Sequence, residues 1–306
     1  MVLLAVASTA FLSLDTTAVL LTPVVVAAAR AHKLPALPFA FTTVWLANTA
    51  SLFLPVSNLT NLLAAPGLGG GTGEFLLLLA APAVIAVGVT VLLLWVRFRR
   101  HLRGTFTPQP APRVADRTLL LWCAVVVAAL LPLLVSGLEP WLPASAAALV
   151  LIVVFVVRAP RALSVRLVPW SLVVFASGLL LAAAAVDAAG LLDALAVLLG
   201  HAEGAGAVYA VAGTGAAAAN VVNNLPAYLA LEPAVAGAPI HLAALLVGVN
   251  AGPLITPWAS LATLLWHQRL RAAGEDVSWR SFILWGCLAA PLVVGLAVLP
   301  LAIAAA

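Results

Sequence analysis

The sequence predicts an all-α polytopic membrane protein with two re-entrant hairpins and two interrupted transmembrane helices. Its 306 residues are 65% hydrophobic and 8% charged, whereas about a quarter of the residues of a soluble domain are charged. Apolar runs such as 75–95 and 119–135 approach or exceed the roughly 20 residues that a helix needs to cross a bilayer. The formal charge of +4 is therefore interpreted as a topology signal, and no nucleic-acid partner is expected.

Polar breaks divide the chain into apolar segments that define the predicted elements. In order these are a hairpin (1–29), an interrupted helix (39–65), a span (75–96), three scaffold spans (118–136, 141–157 and 168–186), a second hairpin (205–235), a second interrupted helix (239–266) and a last span (281–304). They group into an incomplete first repeat (1–97), a cytoplasmic linker (98–117) and a second repeat (118–306).

The positive charges predict the topology. All fourteen Lys and Arg residues lie in alternate breaks, at positions 30, 33, 97, 99, 100, 103, 113, 117, 158, 161, 166, 269, 271 and 280. The positive-inside rule places these loops in the cytoplasm and the C-terminus outside the inner membrane. All basic loops lie on the same side of the membrane only if segments 1–29 and 205–235 return to the side from which they enter. Each has a polar stretch near its middle, SLDTT (13–17) and NVVNNLP (220–226), which favours two hairpins of opposite orientation.

An internal similarity indicates an inverted repeat. Aligning Pro55 with Pro257 places Asn48 opposite Asn250 and Asn61 opposite Thr263. The prolines of these stretches, Pro55, Pro253 and Pro257, are the predicted helix breaks. A helix that is broken at the middle of the membrane frees backbone N–H and C=O groups, which can bind a polar solute together with nearby Asn, Ser and Thr side chains.

The repeat also predicts a missing segment. Three spans precede the second hairpin, but none precedes the first. By symmetry roughly 100 residues of N-terminal scaffold helices are expected before Met1, from an upstream start codon or because the chain is a fragment.

Several motifs resemble those of the arsenite permease (arsenical pump membrane protein) family of the ion transporter superfamily. They are ANTASLFLPVSNLTNLL (47–63), GPLITPWASLATLLW (252–266), SLDTTAVLLTP (13–23), ANVVNNLPA (219–227) and VPWSLVVFASGLLL (168–181). The sequence differs from the family pattern at Leu14-Asp15, where the family usually has Asn-Asp. The resemblance implies an inverted-repeat ion-transporter fold with a scaffold domain and a mobile transport domain. It also implies a homodimer that exports arsenite in exchange for protons.

Arsenite near neutral pH is mostly As(OH)₃, a neutral solute whose hydroxyls match Asn, Ser, Thr and backbone groups. Interhelical hydrogen bonding is the alternative role for such residues. The substrate-binding candidates are Asn48, Thr49, Ser51, Ser57, Asn58, Thr60, Asn61, Asn223, Asn224, Asn250, Thr256, Ser260 and Thr263. The predicted hairpin tips are Thr16, Thr17, Asn220 and Pro226.

Asp15 is the candidate for proton coupling because a carboxylate inside the membrane indicates function, with helix capping as the alternative. No cofactor or metal is expected, and Cys123 and Cys287 are interpreted as core residues. The chain has no nucleotide-binding motif, so coupling to ATP would require an ATPase subunit as partner.

Other functions remain open at this point. Antimonite is a second expected solute of an arsenite exporter. An ion-coupled dicarboxylate or Na⁺/H⁺ transporter of the same superfamily is the first alternative, although no Arg or basic pair is placed at the middle of the membrane to bind carboxylates. A truncated, transport-inactive membrane protein is the second alternative.

Overall fold

The computed structural model describes residues 1–101, 116–168 and 204–306, with scattered positions between 170 and 188. Over these residues the chain forms helices and no β-strand. The α-helices are α1 (Val2–Leu12), α2 (Leu14–Ala31), α3 (Ala36–Thr49), α4 (Leu59–Ala64), α5 (Thr72–Phe98), α6 (Arg117–Val135), α7 (Trp141–Arg158), α8 (Gly204–Val222), α9 (Asn224–Val235), α10 (Pro239–Ala251), α11 (Leu261–Ala272), α12 (Trp279–Ala297) and α13 (Leu299–Ala304).

Seven helical stretches within the described ranges have the length and composition to cross a membrane. The prediction of an all-α polytopic membrane protein is confirmed. Large apolar side chains also cover the outer surface, and Leu3, Leu77 and Leu284 are 84%, 87% and 72% exposed. Such residues suit a surface that contacts lipid instead of water.

The chain separates into two compact units. The first unit comprises Met1–Pro108 and Ala182–Ala306, and the second comprises Gln109–Leu181. The first unit contains both predicted hairpins and both interrupted helices. In the second unit α6 and α7 pack together, and Arg158 at the end of α7 binds Asp116, the N-cap of α6, at 2.9 Å. The C-terminal end of α7 thus meets the N-terminal end of α6, so these two helices run antiparallel.

Parts of the predicted organisation lie outside the described residues. They include most of the cytoplasmic linker (98–117), most of the scaffold span 168–186, and the break that follows it.

The first hairpin consists of α1 and α2, which Ser13 alone separates. Ser13 is the N-cap of α2, and its hydroxyl oxygen accepts a hydrogen bond from the N–H of Thr16 at 3.3 Å. Thr17 joins the two helices because its hydroxyl lies 2.8 Å from that of Ser8 and bonds that of Thr9 at 3.2 Å. The stretch SLDTT thus provides both the turn and its interhelical bonds.

The first interrupted helix begins as α3 and continues through two short 3-10 turns, Ala50–Phe53 and Pro55–Ser57, into α4. Leu54 and Asn58 are extended, with φ, ψ of −136°, 153° and −150°, 144°. A residue before proline is pushed out of the helical region by the proline ring, which explains the extended Leu54. Residues 50–58 are called the first break below.

The second hairpin consists of α8 and α9, which Asn223 alone separates. Gly248 of α10 lies against the backbone of α8, since an added Cβ would collide with the carbonyl oxygen of Ala212. After α10 the chain is irregular over residues 252–260, the second break, and then forms α11. Both breaks therefore precede a short helix that leads away from them.

The two hairpins turn with the same backbone geometry. Ser13 has φ, ψ of 89°, 159°, and Asn223 has 96°, 153°. The helices after the two breaks begin alike too, because the N-caps Asn58 (−150°, 144°) and Ser260 (−142°, 137°) are both extended. Each half of the chain thus has a hairpin turn and a helix N-cap with the same backbone geometry.

The turn at Ser13 predicts a stabilising substitution. A positive φ with ψ near 155° is a region that glycine alone occupies readily and that costs other residues about 1–3 kcal/mol. Loss of the serine cap to glycine costs only a few tenths of a kcal/mol, so Ser13→Gly is expected to raise the free energy of unfolding by about 1 kcal/mol. Thermal unfolding of the purified protein in detergent measures the change.

Ser278→Gly is the matched control. Ser278 is also an N-cap, but its φ is −61° and its side chain makes no capping bond, so the glycine relieves no strain. A melting temperature of the Ser13→Gly protein at or below that of the Ser278→Gly protein would contradict the strain at Ser13.

The C-terminal ends of α2 and α11 meet. Nη2 and Nε of Arg30 donate to Oε1 of Glu275, just after α11, at 2.7 and 3.1 Å. Because α2 and α11 pack against each other, this ion pair shows that they run in the same direction. Asp15 is about 22 Å from Arg30 along α2, so along the helix axis it is level with the start of α11.

An aromatic cluster surrounds Arg97 at the same end of the first unit. Its guanidinium lies over the rings of Phe41, Trp285 and Phe98, at 4.5, 4.7 and 4.9 Å from their centroids. Nη2 also donates to Oγ of Ser281 at 3.0 Å. The end of the first unit that contains Arg30 and Arg97 is called the basic end below.

Candidate functional site

Asn250 of α10 is the centre of a buried hydrogen-bond network, the first network. Its Oδ1 accepts from Nδ2 of Asn58 at 2.7 Å and from Oγ1 of Thr60 at 2.8 Å. Its Nδ2 donates to Oδ1 of Asn61 at 2.6 Å. All four side chains are at most 4% exposed. One amide of the second half of the chain thus binds three polar side chains of the first half.

The first network extends into the first break through Asn61. Nδ2 of Asn61 donates to the carbonyl oxygens of Ser51 at 2.6 Å and Leu54 at 3.0 Å. An interrupted helix leaves such carbonyls without helical partners. Asn61 therefore supplies the donor that the break lacks, and it fixes the break relative to Asn250.

Ser57 joins the first break to the first hairpin. Its hydroxyl donates to the carbonyl oxygen of Ala10, in the last turns of α1, at 2.9 Å. It also accepts from the N–H of Leu54 at 3.2 Å. The tip of the first hairpin and the first break are therefore in direct contact.

Asn220 connects the second hairpin to the second break, and the bonds around it form the second network. Nδ2 of Asn220 donates to the carbonyl oxygen of Gly252 at 2.8 Å, and Oδ1 accepts from the N–H groups of Ile255 and Thr256 at 3.2 and 3.0 Å. The hydroxyl of Thr256 donates to the carbonyl oxygen of Asn220 at 2.7 Å. One amide therefore binds three peptide groups of the second break.

The tip of the second hairpin makes further bonds of this kind. Nδ2 of Asn223 donates to the carbonyl oxygen of Trp258, and the N–H of Asn224 donates to that of Ala259, at 2.8 and 2.9 Å. Nε1 of Trp258 donates to the carbonyl oxygen of Asn220 at 3.0 Å. Each hairpin tip thus contacts the break of its own half of the chain.

The predicted site residues fall into two groups. Asn58, Thr60, Asn61 and Asn250 are brought together in the first network, and Asn220, Asn223 and Thr256 in the second. By contrast, the side chains of Asn48, Thr49 and Ser51 bond carbonyl oxygens of their own stretch, those of Val44, Trp45 and Asn48. Asn224 accepts from the N–H of Leu225.

The turn residues are Ser13 and Asn223, so the four predicted tip residues lie in the adjoining helical turns. Thr16 and Thr17 are in the first turn of α2, Asn220 is near the end of α8, and Pro226 is in the first turn of α9. Pro55 begins a 3-10 turn, and Pro253 and Pro257 lie in the second break.

Asp15 lies in the first turn of α2, where Ser13 and not Asp15 provides the N-terminal cap. Its Oδ1 is buried without a hydrogen-bond partner among the described residues. The described residues contain no group of three His, Cys, Asp or Glu side chains that could hold a metal ion. The two networks themselves contain only amides, hydroxyls, an indole and peptide groups, so they present no charged side chain to a solute.

Two tryptophans near the first network were not among the predicted site residues. Trp45 of α3 and Trp266 of α11 are fully buried, and neither indole N–H has a partner in the described part of the chain. The sequence alone does not single them out, because every tryptophan in a membrane segment has an indole N–H that needs an acceptor.

Seven membrane-length helices among the described residues, with polar networks at two helix breaks, are typical of membrane transporters. A family model described as citrate transporter, CitMHS, matches residues 1–263. The arsenical pump membrane proteins of Yersinia enterocolitica and Escherichia coli (strain K12) are each 32% identical to the chain, over 94% of it and 72% of the relative. The chain therefore belongs to the CitMHS family of transporters and is a relative of the arsenical pump membrane proteins. It is a membrane transporter and not an enzyme.

Proposed function

We propose that the chain is a secondary active transporter that exports arsenite, and antimonite as a second solute, across the cytoplasmic membrane. The names of its relatives support this choice of solute. The observation that carries it is the first network, in which Asn250 holds Asn58, Thr60 and Asn61. These groups donate and accept hydrogen bonds without carrying charge, which suits As(OH)₃ because a neutral solute is less costly to desolvate than an anion.

Solute binding requires the first network to open. Its donors and acceptors bind one another in this structure, and a solute with three hydroxyls can replace such bonds one for one. The proposed transport cycle therefore exchanges protein–protein hydrogen bonds for protein–solute bonds. Because the bonds are exchanged one for one, the empty and the loaded site have similar free energies. A transporter requires this because it must also release its solute.

The fold proposed for this function is an inverted repeat with two re-entrant hairpins. The matched turns at Ser13 and Asn223 and the matched N-caps at Asn58 and Ser260 support it. In this proposal the first compact unit is the mobile transport domain, and the second contributes to a scaffold that forms a homodimer. The basic loops are cytoplasmic and the C-terminus is outside.

Protons are the proposed coupling ion, and Asp15 is the proposed proton carrier. Its buried Oδ1, which has no hydrogen-bond partner among the described residues, supports this role. A carboxylate in a membrane segment is neutral when protonated and unfavourable when ionised, so its proton occupancy can be linked to whether solute is bound. Coupling to ATP would instead require an ATPase subunit as partner.

Citrate transport is the second candidate because the matching family model is described as a citrate transporter. Citrate is a multiply charged carboxylate, and Arg is the side chain that pairs best with such groups. Neither network contains a Lys, Arg or His side chain. The first network therefore favours the neutral solute over citrate or another carboxylate.

An arsenite-sensitive bacterium that lacks its own pump tests the proposal. Expression of the chain is expected to restore growth on arsenite and on antimonite, whereas the Asn250→Ala protein at equal membrane abundance is not. Absence of protection by the wild-type chain, together with uptake of citrate or succinate, would overturn the proposed solute in favour of the carboxylate alternative.

A further inference from the structure

Three unpartnered polar groups follow one face of the helix that leaves the second break. Ser260, Thr263 and Trp266 are spaced three residues apart on α11, which puts successive side chains on the same side. All three are fully buried, and their side-chain polar atoms have no hydrogen-bond partner in the described ranges. Ser260 is also the N-cap of α11, yet its side chain caps nothing.

The helix before the first break, α3, carries a second set of unpartnered polar groups. Trp45 and Asn48 of α3 are also three residues apart, and they are 0% and 1% exposed. Nε1 of Trp45 and Oδ1 of Asn48 are unpartnered within the described part of the protein. This pair offers one donor and one acceptor.

The two sets face one another across a single ring. Phe41 lies one turn before Trp45 on α3, with ring centroids 6.1 Å apart, and it contacts Trp266 of α11 edge-to-face at 5.7 Å, so the helices that carry the two sets pack against each other. The Arg97 guanidinium covers Phe41 at 4.5 Å. The unpartnered groups therefore begin at the second break with Ser260 and lie on the turns of α3 and α11 that lead from the breaks toward the basic end.

Several other buried threonine hydroxyls of the first unit do find partners, although that of Thr90 does not. A buried threonine in a helix usually bonds the carbonyl oxygen of the preceding turn, as Thr22, Thr43 and Thr49 do with Ala18, Phe39 and Trp45. Thr263 makes no such bond, and the carbonyl oxygen four residues earlier, that of Ala259, accepts from the N–H of Asn224. Leaving a buried polar group unpaired costs free energy, so several in one place indicate a missing hydrogen-bonding molecule.

We propose that Ser260, Thr263, Trp266, Trp45 and Asn48 form a second subsite for a small neutral solute with several hydroxyl groups, between the breaks and the basic end. The inference rests on the proposed function, since arsenous acid is such a solute. Indole N–H groups can donate to its oxygens, and Oδ1 of Asn48 can accept from its hydroxyls. The subsite receives the solute before the first network opens.

Isosteric replacement of Thr263 separates this proposal from a purely structural role. Thr263→Val removes only the hydroxyl oxygen, and removal of an unpartnered group of nearly the same shape is neutral or stabilising for the fold. Thr90→Val is the matched control, because Thr90 of α5 is equally buried and its hydroxyl is equally unpartnered among the described residues. Both variants are expected to melt at or above the wild-type temperature.

Transport by the two variants is then measured as arsenite uptake into everted membrane vesicles over a range of arsenite concentrations. The arsenite concentration for half-maximal uptake is expected to rise about fivefold in Thr263→Val, as loss of one hydrogen bond implies, and to stay at the wild-type value in Thr90→Val. Ser260→Ala is expected to act in the same direction as Thr263→Val.

The outcomes distinguish failure of the second subsite from failure of the proposed arsenite transport. If wild-type vesicles take up arsenite and the Thr263→Val and Ser260→Ala proteins match the Thr90→Val protein, the subsite is overturned and the proposed function stands. If wild-type vesicles take up none, the proposed function is overturned, and the subsite with it. A Thr263→Val protein that melts below the Thr90→Val protein assigns the hydroxyl a structural bond and also overturns the subsite.

Discussion

Replacing Asn250 with alanine is expected to lower the free energy of unfolding by about 3 kcal/mol or more and to abolish transport. The substitution removes three buried hydrogen bonds at once, those to Asn58, Thr60 and Asn61. It leaves the partner groups without water or protein to replace the lost amide. Because two of the bonds connect α10 to the helix after the first break, the geometry of the proposed solute site is lost as well.

Asn48→Ala is the matched control for the stability effect. Asn48 is as buried as Asn250, but its one hydrogen bond is to the carbonyl oxygen of Val44 in its own helix, at 2.9 Å. Loss of a single bond of this kind costs about 1 kcal/mol. Thermal unfolding of both purified variants gives the comparison. Equal destabilisation of the two proteins would contradict the central position of Asn250.

Asp15→Asn is expected to abolish accumulation of arsenite against a gradient while leaving the protein folded. Asparagine has almost the same shape as aspartate but cannot release a proton, so transport can no longer be linked to proton entry. Oδ1 of Asp15 makes no hydrogen bond among the described residues that the change would break, and the wild-type melting temperature should therefore be kept. Arsenite uptake into everted vesicles with an imposed pH gradient measures the effect.

Glu232→Gln is the control for Asp15→Asn. Glu232 is a half-buried acidic residue of the second hairpin, and the same loss of a carboxylate there should leave gradient-driven uptake intact. Wild-type accumulation by the Asp15→Asn protein would show that another group carries the proton. A loss of accumulation in both variants would point to a general charge effect and would contradict a specific role of Asp15.

The elements that the sequence predicts best are those with a local cause. Pro55 and Pro257 lie within the two breaks, where the polar stretches predict them, and the proline ring and missing N–H disfavour a regular helix there. The turns are also predicted to within a few residues, but the turn positions Ser13 and Asn223 are not singled out. Their positive φ angles follow from how two packed helices must meet, and no preference of serine or asparagine alone requires them.

The pairing of the site residues cannot be read from the sequence. Asn58 and Asn250 are 192 positions apart, and only the packing of α10 against the first break brings them together. The repeat alignment sets Asn48 opposite Asn250, yet Asn48 bonds its own helix while Asn250 bonds three residues of the other half. Two positions that the alignment pairs thus have different partners, because each depends on which neighbour the fold supplies.

The two tryptophans show a further limit. In sequence Trp45 and Trp266 are two aromatic residues in apolar segments, which predicts ordinary core packing. Their unpartnered N–H groups become visible only when every neighbouring acceptor is placed. A hydrogen bond that is absent is a property of the packed structure, so no local pattern predicts it.

Transport by the purified protein in liposomes tests the central claim most directly. Proteoliposomes without ATP are given an acidic interior, and arsenite accumulation is followed over time. Wild-type protein is expected to accumulate arsenite until the pH gradient is dissipated, and protein with Asn250→Ala is expected to accumulate none. Accumulation of citrate instead of arsenite, or equal accumulation with and without Asn250, would contradict an arsenite transporter whose solute site is built around this residue.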